Sequence, residues 1–211
     1  MLLPALGKAR EKARAVSCAN QLKQIGLGAV FYLQSYDDFI VPYYMGGGYY
    51  WWPLLSNIIQ PQSGSEESYN YNGPHSPLFH CPSRNGSCYN FLGVSGTIPN
   101  LCNYANNIRC GNWTTTGAAI DCRMYRISKI KTPGTKLHIG DAPVSDAGAV
   151  PQTCRFNFGI FSNSLAVAIN YVPIDIHGGK TNFLFLDGHV ASLKRGEIPP
   201  LNFDAAGDKS Y

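Results

Sequence analysis

Charge is what this sequence has least of. Asp, Glu, Lys and Arg make up 14% of its 211 residues, well under the usual quarter. The formal charge of +4, from 17 basic and 13 acidic residues, is small and scattered, so nucleic acid is not an expected partner. No run of 18 apolar residues occurs, so no stretch reads as a membrane-spanning helix. No intact signal peptide is present. The seven cysteines include no C-x-x-C pair, and no histidine follows at zinc-finger spacing, which argues against a structural zinc site. Enzyme motifs are missing as well. There is no G-x-S-x-G, no H-E-x-x-H and no phosphate-binding glycine loop. Ser162, Ser164 and Cys154 sit in no activating context. The expectation is a non-catalytic protein.

Hydrophobic residues are plentiful at 45%, enough for a real core, alongside 22 Gly, 14 Pro and 13 Tyr. That mixture suits a loop-rich, hydrogen-bonded domain of non-cytosolic type. The length fits one large domain or two small ones. The longest ordered pattern is the opening, residues 1–36. Leu6, Ala9, Ala13, Val16, Asn20, Lys23, Gly26, Ala29 and Leu33 follow one line of helical spacing. Leu22, Ile25, Ala29, Tyr32 and Tyr36 follow a second, and the two merge in the later half. A helix of that length runs to roughly 50 Å, longer than a small domain, so its first end is expected to project. Pro4 is tolerable in a first turn, but no capping residue precedes it. Met1-Leu2-Leu3 reads as the tail of a more apolar run, so the sequence is expected to begin inside a helix. Lys8/Lys12 and Arg10/Arg14 are like-charged pairs at four-residue spacing. They read as a solvated face, or as a basic cluster awaiting acidic partners.

Asp37-Asp38 and Pro42 end the helix. Tyr49, Tyr50, Trp51 and Trp52 follow a triple glycine. They offer a ligand platform, or they pack against the adjacent helix, and packing is the favoured reading. About 60–122 is rich in Ser, Asn, Gly and Pro and reads as a long insertion with short strands. Cys88, Cys102, Cys110, Cys122 and Cys154 spread through loop-like sequence, which favours disulfides in an oxidising compartment. The last third is strand-patterned over 135–139, 156–160, 165–171 and 181–186. Asp187-Gly188 between 181–186 and 189–193 predicts a two-residue hairpin turn. It sets Leu186 opposite His189 and Leu184 opposite Ala191, with Phe183, Phe185 and Val190 on the other face.

The opening LLPALGKAREKARAVSCANQLKQIGLGAVFYLQSYDD resembles the stretch after the membrane half of the first helix in type IV pilin-like proteins. It is most similar to pseudopilins carrying a prepilin-type N-terminal cleavage and methylation motif. His177, nine residues, then Asp187-Gly188 resembles the His-X9-Asp-Gly signature of the prepilin-type processing-associated domain. Phe79-His80-Cys81-Pro82-Ser83 resembles the Phe-x-Cys-Pro element between the two. The resemblance covers the first 40 residues, that short middle motif, and about 127–193.

The resemblance implies an α+β, pilin-like fold. A long N-terminal helix, residues 1–36, packs on the antiparallel sheet of a globular head, residues 37–211, with a cysteine-containing insertion at about 60–122 and a hairpin at 181–193. It implies a structural subunit, a pseudopilin of a type IV pilus or type II secretion filament. Its partners would be other pilin-like subunits through the helix, and the inner membrane through an apolar segment ahead of Leu2. The full-length form would be anchored in the bacterial cell envelope, periplasmic or cell-surface, and the chain without that segment would be soluble.

Cys18 and Cys81 both lie in family-like elements. A disulfide between them would pin the helix to the head; two buried thiols are the alternative. Asp141, His177, Asp187 and His189 stand at the ends of strand-like runs and form a metal candidate. Oxygen ligands suit calcium, which secretion pseudopilins carry in this part of the head, and added histidine turns the preference toward zinc. The favoured alternative is a latch without metal, in which His177 bonds to the Asp187-Gly188 hairpin. A glycan-binding module built on Tyr49–Trp52 and a metal-dependent hydrolase built on His177, Asp187 and His189 are the competing functional readings.

Overall fold

The computed structural model describes residues 2–42, 51–60, 76–83, 102–107, 111–116, 119–141, 155–156 and 176–199. The first element is helix α1, Leu2–Ser35. Among the described side chains, the first buried one is Cys18; the preceding turns are exposed or half-buried, with Leu6 at 60% and Val16 at 61% exposure. The helix therefore engages the head through its second half, by way of Leu22, Ile25, Ala29 and Tyr32. It ends where Asp37 and Asp38 adopt positive φ, with the Asp38 amide returning to the Leu33 carbonyl at 3.0 Å, a left-handed C-terminal cap. No helix among the described residues is long and apolar enough to cross a membrane.

Helix α2, Trp51–Ile59, packs beside α1. Gly28 of α1 allows the close approach: a Cβ there would lie 2.6 Å from Ile59 Cγ1. Trp51 and Trp52 are buried, and Trp51 meets Phe79 edge-on at 5.8 Å. They fill the core, as the packing reading expects, and offer no face for a ligand platform. Tyr49 and Tyr50 lie outside the described residues.

The sheet comprises β1 (Tyr104–Asn107), β4 (Leu137–Asp141), β5 (Arg155–Phe156), β6 (Thr181–Phe185) and β7 (Val190–Leu193) in the order β5-β1-β4-β6-β7. Four strands are antiparallel, and the two-residue β5 is added parallel to β1. A separate hairpin, β2 (Gly111–Thr116) with β3 (Ala119–Met124), spans the end of the expected insertion, with β3 running two residues past it. Helix α1 covers one face of the sheet through Tyr104, Ile139 and Leu184. The other face gathers Ala105, Leu137, Phe183 and Phe185, with Ala191, Leu193 and Ile198 beside them. A bulge between Leu137 and Ile139 explains why these two residues, two apart in one strand, face opposite sides. It also turns Asp141, two residues beyond Ile139, toward α1.

The hairpin differs from the expected one by a single residue. Leu184 pairs with Val190 and Phe183 with Ala191. The Gly188 amide bonds to the Phe185 carbonyl at 3.0 Å, and the Phe185 amide to the His189 carbonyl at 2.9 Å. The loop is thus three residues, Leu186-Asp187-Gly188, with Gly188 alone among them at positive φ, 89°. A two-residue turn needs positive φ at both Asp187 and Gly188. The longer loop spares Asp187 that strain and moves Val190 to the face of Leu184.

Candidate functional site

The Phe79–Ser83 segment enters the core through a single 3-10 turn, Pro77–Phe79, capped by Ser76 Oγ accepting from the Leu78 amide at 3.3 Å. Phe79 anchors it against Trp51. The Asn103 amide donates to the Phe79 carbonyl at 2.8 Å, and the Cys81 amide to Asn103 Oδ1 at 2.9 Å. Cys81 is thereby aimed at α1, where it forms a disulfide with Cys18 across 63 residues of sequence, with a Cα–Cα distance of 5.4 Å, ordinary for a disulfide. Tyr104 of β1 ties the same stretch of helix, its hydroxyl donating to Gln21 Oε1 at 2.7 Å.

Two polar side chains converge on this disulfide. His177 Nε2 lies 3.7 Å from Cys81 Sγ and 3.4 Å from Asp141 Oδ2. His177 Nδ1 faces Ser83 Oγ at 3.4 Å. Asp141 Oδ2 also accepts the Asn182 amide at 2.7 Å, while Oδ1 has no hydrogen-bond partner among the described residues. The His177 and Asp141 side chains are 2% and 0% exposed. A carboxylate sealed from water is tolerable only when hydrogen-bonded or paired, and Asn182 and His177 supply those partners.

The four residues read as one metal candidate are divided by the structure. Asp141 and His177 come together beside the disulfide. Asp187 and His189 sit on the exposed hairpin, where Asp187 Oδ1 lies 2.6 Å from His189 Nδ1 and accepts the His189 amide at 3.1 Å. The expected latch from His177 to the hairpin is not made: His177 meets Asp141, Cys81 and Ser83 instead. Thr181–Phe185 lies between the two ends of the His-X9-Asp-Gly spacing, and a five-residue strand holds them more than about 13 Å apart along its axis. A hydrolase site on His177, Asp187 and His189 is not assembled for the same reason.

Calcium does not fit either. It requires six to eight oxygen ligands. Asp141 is surrounded by sulfur and nitrogen, and Asp187 lies at the far end of β6. The sulfurs, Ser83 and Asn182 are the members of the cluster that the reading of Asp141 and His177 as a metal site left out. The nearest signal was the shared origin of Cys81 and His177 in family-like motifs. Of the remaining cysteines, Cys102 is buried and Cys122 lies in β3; Cys88, Cys110 and Cys154 lie outside the described residues.

Residues 7–50, which are 44 of the 211, match the model of a family described as a protein of unknown function, DUF1559, a family associated with prepilin-like and type II secretion proteins. The matched stretch is most of α1 and the turn that follows. No curated protein and no solved structure matches the chain.

Proposed function

We propose that this chain is a non-catalytic structural subunit of a pilin-like filament, of the type IV pilus or type II secretion kind, in the bacterial cell envelope. The observation that carries the reading is the outward side of α1. Its inner side is committed to the head through Cys18, Leu22, Ile25, Ala29 and Tyr32. Its outer side displays Leu6, Val16, Leu27 and Phe31 at 56–61% exposure, with Val30 at 39%. Helical spacing puts these residues along the side opposite the packed one. A helix apolar on both sides has a surface to bury beyond its own domain, and neighbouring copies of the same helix would bury it. The match over residues 7–50 falls on this element and supports the same assignment.

The test is photo-crosslinking in a bacterial host expressing the complete gene product. A crosslinker in place of Leu27 should give a ladder of multimers in the envelope fraction, while one in place of buried Leu22 should give none. Monomer alone from the Leu27 position overturns the reading, as does a coding sequence with no apolar segment and prepilin cleavage motif ahead of Leu2.

A further inference from the structure

The cluster around Cys81 converges on a point. A relay of the Cys–His–Asp kind would set the sulfur and the carboxylate on opposite nitrogens of the imidazole. Here both lie against the same atom, His177 Nε2, at 3.7 and 3.4 Å. The donor atoms of Cys18, Cys81, Asp141 and His177 all fall within 4.8 Å of one another, and all four residues are buried. A tetrahedron with metal–ligand bonds of about 2.0–2.3 Å has edges of roughly 3.3–3.8 Å. The two distances at Nε2 already match such edges. In the metal-bound form Ser83 Oγ, at 3.4 Å from Nδ1, can accept that nitrogen's proton, so that Nε2 no longer donates to Asp141 and turns its lone pair to the metal, the hydrogen bond at the far nitrogen holding the ring in place.

We propose that these four residues form a redox-gated zinc site, in which the disulfide form excludes the metal and the dithiol form binds Zn2+ through two thiolates, Asp141 and His177 Nε2. The donor set, two sulfurs with one nitrogen and one oxygen, suits zinc and not calcium or magnesium. The conversion balances. A dithiol reductant gives two electrons and two protons to the Cys18–Cys81 bond and becomes a disulfide itself. Both thiols then lose a proton as Zn2+ binds. Oxidation by a disulfide of higher potential reverses the exchange and releases the ion. Asp141 would meet the metal through Oδ2, the oxygen 3.4 Å from Nε2, which also accepts the Asn182 amide, and its Oδ1 has no hydrogen-bond partner among the described residues to hold the carboxylate away. The same residues would therefore hold α1 to the head in either state, by a covalent bond or through a metal.

The proposal is tested on the 211-residue chain reduced with a phosphine, which takes an oxygen from water as it opens the disulfide, and then titrated anaerobically with Co2+ and Zn2+. Tetrahedral d–d absorption with a sulfur-to-cobalt charge-transfer band should appear at one equivalent per chain, disappear when Zn2+ is added, and be missing from the oxidised chain. Cys18 and Cys81 should resist alkylation in the presence of Zn2+, read peptide by peptide. His177→Ala and Asp141→Asn should each weaken zinc binding by roughly 100-fold or more, since losing an outer-shell partner alone costs 10–100-fold. Three results overturn the proposal: a reduced chain that unfolds and stays unfolded with zinc, octahedral cobalt spectra, or zinc protection at other cysteines that persists in both variants.

Discussion

Asp141 Oδ2 faces His177 Nε2 at 3.4 Å while accepting the Asn182 amide at 2.7 Å. One buried carboxylate thus joins β4, β6 and the loop that carries His177. Asp141→Ala should leave a buried amide and a buried imidazole without their acceptor. The expected cost is about 2–4 kcal/mol, measured as a lowered urea midpoint with an unchanged m-value. Asp141→Asn, which keeps an acceptor oxygen, should cost less. Equal loss in both variants would assign the effect to the charge and not to the hydrogen bonds.

The Cys18–Cys81 disulfide closes a loop of 63 residues. On the chain-entropy account such a crosslink is worth about 4 kcal/mol. The double variant Cys18→Ala/Cys81→Ala should therefore unfold at much lower denaturant, and reduction of the wild type without metal should produce a similar shift. Hydrogen exchange should locate the added opening at the Cys18 to Ile25 stretch of α1. Because the crosslink acts on the unfolded chain, the slowest-exchanging amides of the sheet should speed up as well; sheet amides whose exchange is unchanged would contradict the chain-entropy account.

His138 occupies the bulge of β4, buried to 4% exposure. Burial lowers its pKa from 6.5 to about 4, against a smaller upward pull from its hydrogen bond to the Val41 backbone. The unfolded chain then binds the proton first as pH falls. Stability should be full above about pH 6.5 and decline toward pH 4, by about 2 kcal/mol between pH 7 and 5. Urea titrations at the two pH values measure the loss. His138→Gln should remove most of this difference, and a slope that persists in the variant would place the titrating group elsewhere.

Gly188 is the residue of the three-residue hairpin loop that requires positive φ. Gly188→Ala should cost about 1 kcal/mol or more. Asp187→Ala should also destabilise, because Asp187 Oδ1 accepts the His189 amide. Asp187→Gly should gain nothing from added backbone freedom. A stabilising Asp187→Gly would point back to the two-residue turn and the other strand register.

The long helix and its projecting end follow from local periodicity in residues 1–36. The strand 181–185 and the existence of a turn at Asp187-Gly188 follow from alternation and turn chemistry. Register slipped by one because Asp-Gly serves both the two-residue and the three-residue loop, and the choice depends on how Leu186 sits: its amide bonds to the Lys136 carbonyl at 3.0 Å, a contact with the residue just ahead of β4. The site was legible residue by residue but not as a set. Asp141 reaches it through a bulge, His177 through the pairing of β6 with β4, and Cys81 through a bond spanning 63 residues. None of these relations has a period or a spacing.

The two sides of α1 should separate folding from assembly. Leu22 and Ile25 are fully buried against the head, so Leu22→Ala or Ile25→Ala should each cost about 2–5 kcal/mol of stability. Leu27 and Phe31, at 61% and 56% exposure, touch mainly solvent in the single chain. Leu27→Lys/Phe31→Lys should change its stability by no more than about 0.5 kcal/mol per residue. In the complete gene product, the same pair would set charged side chains where neighbouring helices are proposed to meet, and burying an unpaired charge is prohibitive. Multimers in the envelope fraction should disappear while the amount of folded subunit stays constant. If the double variant unfolds instead, these residues serve the head and not the filament; if it assembles normally, the copies meet through another surface.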